Sequence, residues 1–152
     1  MANIVPFAFK GELMSGTHNF SAGGNNFNLA LYTANPYNTA STVYVTTSEV
    51  SGAAPFAGYQ AGGKALNNQV VDSSTATTTI DFDNLTWGAA TTGAATFGAA
   101  FAAIYNTSTN PVNKLVVVLD FQGTKTATNG DFTIAFPNPN VAANAILSLT
   151  SS

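Results

Sequence analysis

Two spacings of apolar residues divide the chain. In PFAFKGELMSG (Pro6 to Gly16), Phe9 and Leu13 stand four apart. Pro6 fits a first helical turn and Gly16 suits a stop, so this spacing predicts a short helix. THNFSAGGNNF then reads as a polar, glycine-rich loop. From NLALYTA (Asn28 to Ala34) onward the alternation has period two, with β-branched and aromatic residues. Strands are predicted at Phe27–Thr33, Ala65–Val71, Thr77–Phe82, Thr96–Tyr105, Lys114–Phe121, Phe132–Phe136 and Ala145–Leu149. KLVVVLDF is continuously apolar and reads as a strand buried on both faces or between two sheets. TTTIDFDNLTW alternates, which turns Ile80, Phe82 and Trp87 inward and Asp81 and Asp83 outward. Breakers lie between these runs, and proline is confined to connections and to the amino-terminal segment. The sum is one domain over residues 1–152, an antiparallel β-sandwich or barrel of about seven strands with a short helical or arm-like segment in front, about residues 1–26. No internal repeat of fixed period and no heptads interrupt this reading.

Composition changes the picture in one respect. Hydrophobic residues make up 45% of the 152 residues and charged residues only 7%, against about 25% charged in an average soluble chain. Ala, Thr, Asn, Ser and Gly fill the gap. A surface of that kind has few charges to keep it apart from other surfaces, and it suits a protein whose working state is an assembly. Net charge is −3 and the four cations are all lysines. Nucleic-acid binding, which depends on clustered Lys and Arg, is not expected. With no cysteine, neither a disulfide framework nor a Cys-based metal site can be built. The start, MANIVPFAFKGELM, has no basic stretch before its apolar run, so a secretory signal is not expected. TFGAAFAAIY is shorter than the roughly 20 apolar residues of a spanning helix and predicts a buried strand instead.

Several stretches invite chemistry. GYQAGGKA (Gly58 to Ala65) comes within one residue of a phosphate-binding loop, and LVVVLD could supply a magnesium-binding aspartate. The loop needs a hydroxyl where Ala65 stands, a buried strand before it and a helix after it. EVSGAAPFAGY is no such strand and ALNNQVV favours β structure, so a glycine-rich surface loop is predicted. Asp81 and Asp83 with Asn84 could bind calcium or serve glycoside hydrolysis, but a solvated strand face is the simpler expectation. Asp120, Asp131 and Lys125 read as exposed charges around a hairpin. His18 is the single histidine, so no multi-histidine metal cluster is available within one chain, and G-x-S-x-G is missing; a capping or loop-packing role is expected. Tyr32, Tyr37, Tyr44, Tyr59 and Trp87 could form a sugar-stacking face, with core burial of Trp87 and loop or interface tyrosines as the alternative. No catalytic constellation, cofactor or metal site is predicted.

The order of segments carries more than any single motif. FKGELMSGTHNF, LALYTAN, YVTTSEVSGAAPFAGYQAGGKAL, FDNLTW, AAIYNTS, VVVLDFQGTKTATNGDFTIAFP and AILSLT follow one another between Phe7 and Leu149. This succession resembles a family of small β-rich virion structural proteins of tailed bacteriophages. The chain departs from that pattern where Ala100 and Phe101 replace an Arg-Gly pair, where LDFQG replaces D-F-G, and at the insertion Ala54-Pro55-Phe56. The resemblance implies a non-enzymatic subunit of the virus particle, assembled in the host cytoplasm. It points first to a capsid decoration (cement) protein that binds the major capsid protein or other virion proteins. A tail, baseplate or fibre component touching host-surface glycans is the alternative. Copies of the chain would form a closed oligomer, a trimer suiting a threefold site. Exposure and flexibility, rather than a signature, single out Phe7, Phe9, Gly23, Gly24, Tyr59, Gly62, Gly63 and Lys64 as contact residues.

Overall fold

The computed structural model describes residues 3–51, 58–74, 76–88, 93–108, 113–136 and 145–150. One helix and nine strands are found among them: α1 (Phe7–Met14), β1 (Phe27–Tyr32), β2 (Lys64–Leu66), β3 (Val70–Asp72), β4 (Thr77–Asp81), β5 (Leu85–Trp87), β6 (Ala95–Asn106), β7 (Lys114–Gly130), β8 (Phe132–Ile134) and β9 (Leu147–Thr150). Every pairing is antiparallel. The sheets run β2-β1-β6-β7, β3-β4-β9 and β5-β8. They do not close into a barrel, so the fold is the sandwich-like alternative of the two expected.

β1, the second half of β6 and the first half of β7 are buried on both faces, which is why these stretches are so apolar. Strand alternation sends Phe27, Leu29, Leu31, Ala102, Ile104 and Val117 to the larger core, where they meet Ile80, Leu85, Trp87 and Phe132 from the two small sheets and Phe82 from the connection between them. Ala30, Tyr32, Ala103, Tyr105, Leu115 and Val118 face the other way and pack against Tyr37, Tyr44 and Val45 from the connection after β1. The predicted two-sided burial of KLVVVLDF therefore holds for Leu115 to Val118.

Three elements differ from the sequence reading. The run Ala65–Val71 is two strands in two sheets, split where Asn68 takes φ 51°. An Asn tolerates that left-handed conformation, and the Asn pair that marked a strand interior marks a corner instead. β5 stands as a strand of its own, paired with β8 through Leu85↔Ile134 and Trp87↔Phe132. β7 runs on through TKTATNG, which reads as a turn because it is polar. Its partner Ala95–Ala99 extends β6 far enough to pair with Lys125–Gly130, with irregularities at Ala95/Phe97 and Ala99/Phe101.

Helix α1 forms as predicted. Pro6 caps it in an extended conformation (φ −61°, ψ 149°), Ser15 closes it, and Gly16 follows at φ 75°. Phe9 is buried and Leu13 packs beside it on the core. The insertion Ala54-Pro55-Phe56 lies outside the described residues. No helix among the described residues is long and apolar enough to cross a membrane.

Candidate functional site

A half-buried carboxylate organises the glycine-rich loop. Glu49 Oε1 accepts hydrogen bonds from Tyr59 Oη and from the Gly62 N–H, both at 2.7 Å, and Oε2 accepts one from Tyr44 Oη. Tyr59 Oη also accepts the Leu31 N–H at 3.0 Å, and Tyr105 Oη donates to the Gly62 carbonyl at 2.7 Å. Tyr32 and Tyr37 bond each other at 2.6 Å, and Tyr32 Oη reaches the Val45 carbonyl at 2.8 Å. Burial, with Glu49 beside them, pushes the Tyr44 and Tyr59 phenols above their ordinary range. These tyrosines are structural ties: they fasten the loops to β1 and β6.

That network corrects several expectations. Tyr59, expected at an interface, is only 4% exposed, and Phe9 only 2%. Tyr32, Tyr37 and Trp87 are buried as well, so they offer no sugar-stacking face. A Cβ on Gly63 would stand 1.8 Å from the Leu29 carbonyl oxygen. Gly63 thus allows close approach to the chain's own strand β1. Lys64 opens β2, and no helix follows the loop, which removes the phosphate-site geometry. Its Nζ donates to the Thr86 carbonyl at 2.6 Å and lies 5.9 Å from the centre of the Trp87 ring. The charge expected to meet a partner is spent within the chain.

Gly23 and Gly24 belong to a stitched turn rather than a loose loop. The Asn19 N–H donates to Asn25 Oδ1 at 2.7 Å, the Asn25 N–H returns to the Asn19 carbonyl at 2.8 Å, and Gln69 Nε2 reaches the Ser21 and Asn25 carbonyls. His18 packs within this region, as expected of it. Asp81 is a further correction. It is buried, not solvated, and its Oδ1 has no hydrogen-bond partner among the described residues. Burial pushes its carboxyl above the usual range, and neighbouring Asp83 adds to the effect. Asp83 is exposed and bonds Asn68. Among the described residues no group of three or more His, Cys, Asp or Glu is gathered as metal ligands would be.

What is left open is apolar. A groove of ≈ 930 Å³ lies between α1 and the β3-β4-β9 sheet, lined by Val5, Leu13, Met14, Val71, Ile80 and Leu149 among others. Among the described residues that line it, Lys10 is the one lysine and there is no carboxylate. Met14 is 91% exposed and Leu149 63%. Phe7, at 64%, lies under the Lys10 ammonium, 5.9 Å from ring centre to Nζ. Of the predicted contact residues, Phe7 alone is an open apolar group, and it stands outside the groove's lining. Val71, Met14 and Leu149 were not singled out by sequence. The signal that could have found them is the exposed member of each short apolar pair, which becomes readable only once strand pairing is known. Comparison with family models, with curated proteins and with solved structures found no match for this chain.

Proposed function

We propose that this chain is a non-catalytic structural subunit of a bacteriophage particle, and that it acts as a capsid decoration (cement) protein. The observation that carries the reading is the apolar groove and its rim. Met14, Val71 and Leu149 are three of the six large apolar side chains left exposed among the described residues, and all three line it. A contiguous apolar patch on a protein with so few charges marks a docking surface. Glu49, the tyrosines around it, His18 and Lys64, which could have served chemistry, are tied into hydrogen bonds within the fold. The order of sequence segments supplies the virion setting.

The occupant of the face is the assembled capsid shell. Binding works by mass action, because a subunit that binds the lattice and not its free parts shifts the equilibrium toward the lattice. A stable contact needs more than about 1,000 Å² of buried surface, which one groove rim does not supply, so neighbouring copies around a symmetry axis share the contact. Co-sedimentation with emptied heads stripped of this protein tests the reading. The purified chain should pellet with heads and not with isolated tails or host cells. Binding to tails or cells without binding to heads would replace it with the tail or fibre reading.

A further inference from the structure

Four side chains from four parts of the chain meet beside α1: Glu12 of the helix, His18 of the loop after it, Asn106 at the end of β6 and Lys114 at the start of β7. Their hydrogen bonds have a direction that backbone groups impose. The Ser108 N–H donates to Asn106 Oδ1 at 2.9 Å, so the amide nitrogen Nδ2 points the other way. One Nδ2 hydrogen goes to Asn25 Oδ1 at 3.1 Å, an oxygen fixed as acceptor by the Asn19 N–H. The other goes to His18 Nδ1 at 3.0 Å. Nδ1 is therefore the bare nitrogen, and the ring proton sits on Nε2, where it donates to Glu12 Oε2 at 3.0 Å. Lys114 Nζ closes the series on Glu12 Oε1 at 2.6 Å. This arrangement has room for one proton on the imidazole and none for a second.

We propose that the Ser108–Asn106–His18–Glu12–Lys114 relay is a proton-operated latch that holds α1 and the Thr17–Asn26 loop against the sheet. A proton added at Nδ1 would face the Asn106 N–H, donor against donor. Turning the amide to offer Oδ1 would forfeit its bonds to Ser108 and Asn25. Beyond the core contacts of Phe9 and Leu13 and the Phe7 N–H bond to the Thr39 carbonyl, the helix has weak support of its own. It has eight residues, no side-chain N-cap, no acidic residue in its first turn and no basic residue in its last, and only Phe9 is buried. An isolated helix needs roughly 12–15 residues to be even marginal in water, so α1 exists by docking.

The charged groups that face the imidazole are Glu12 from α1 and Lys114 from β7; the rings of Phe9, Phe20 and Phe27 lie around it at 5.1, 6.1 and 6.4 Å between centroids. Burial holds the imidazole below its ordinary range and outweighs the Glu12 carboxylate, which acts the other way; Lys114 reinforces the burial. Burial works against the Glu12 carboxylate too, but Lys114 and His18 outweigh it and hold that group below the usual carboxylate range. The signs give an order of events. The released state takes up the His18 proton more readily than the docked one, so docking weakens as pH falls below about 6.5. Glu12 stays ionised through that interval, and its contribution is lost only at lower pH. Phe9, Leu13 and His18 line the apolar groove, so release removes one of its walls. That last consequence rests on the proposed contact face; the latch itself does not.

Nuclear magnetic resonance on the full chain tests the latch. The imidazole nitrogens should show the Nε2–H tautomer at pH 7.5. Between pH 7.5 and 5.0, hydrogen-exchange protection of amides in α1 and Thr17–Asn26 should fall by about tenfold or more, while β1 and β6 keep theirs. His18→Gln retains a donor for Glu12 and an acceptor for Asn106 but cannot titrate, so its protection should be flat over the same interval. An Nδ1–H tautomer at neutral pH, α1 protection that ignores His18 titration, or an unchanged pH response in His18→Gln would each overturn the proposal. Should the variant not fold, the tautomer and the wild-type protection profile decide alone.

Discussion

Glu49 has three donors aimed at it, two phenols and a backbone N–H, and each would be left without an acceptor if the carboxylate were removed. Glu49→Ala should therefore cost about 3–5 kcal/mol in urea unfolding, since each buried orphan costs about 1–3 kcal/mol and they share one site. Glu49→Gln keeps an acceptor oxygen and should cost less than half of that. The same network fixes an alkaline limit. The phenols of Tyr44 and Tyr59 are pushed up in the folded chain, so the unfolded chain loses their protons first. Stability should fall as pH rises above about 10, the ordinary tyrosine value, and absorbance at 295 nm should show these phenols ionising together with unfolding. Glycine separates in the same way by neighbourhood. Gly63 and Gly16 both have positive φ, 72° and 75°, but only Gly63 would drive a Cβ into the backbone of β1. Gly63→Ala should cost more than about 4 kcal/mol or prevent folding, and Gly16→Ala about 1 kcal/mol, both read from thermal unfolding.

At the level of elements, period and punctuation carried the reading a long way. The 3.6-residue spacing of Phe9 and Leu13 and the stop at Gly16 placed α1, and the apolar alternation placed β1, β4, β6 and the first half of β7. The misses have one cause: a residue's meaning depended on a distant partner. Asn67 and Asn68 look alike in sequence, and only the switch between sheets makes Asn68 a corner. TKTATNG is a polar turn until β6 is long enough to pair with it. Tyr59 and Lys64 look available in a glycine-rich stretch because the sequence does not show Glu49 and Trp87 beneath them. β7 also presents an edge. Ile4 and Val43 bridge its outer side at Val118 and Lys114, and among the described residues no isolated bridge continues along that side past Val118. Exposed Lys125 stands on that stretch and guards it against pairing with a second chain. Lys125→Val should increase self-association, seen as a rise in weight-average mass with concentration by sedimentation equilibrium, with little change in unfolding midpoint.

The molecule as a whole keeps its polar chemistry inside and its open apolar surface outside. The low charge content was legible at once, and with it the expectation of an assembly. The face proposed to serve assembly was not legible, because Met14, Val71 and Leu149 come from three distant segments that only the fold brings around one groove. Met14→Ser together with Leu149→Ser should weaken the proposed capsid binding by about tenfold or more, since the pair removes the most exposed apolar side chains of the groove rim. Their folded stability should change little, because both side chains already stand in water. An electron cryo-microscopy map of the intact particle would show where this chain sits and which face it turns inward. Density for this fold should lie on the outside of the head, with the groove between α1 and the β3-β4-β9 sheet turned onto the shell. Density found only in the tail, or a groove facing solvent in every copy on the head, would contradict it.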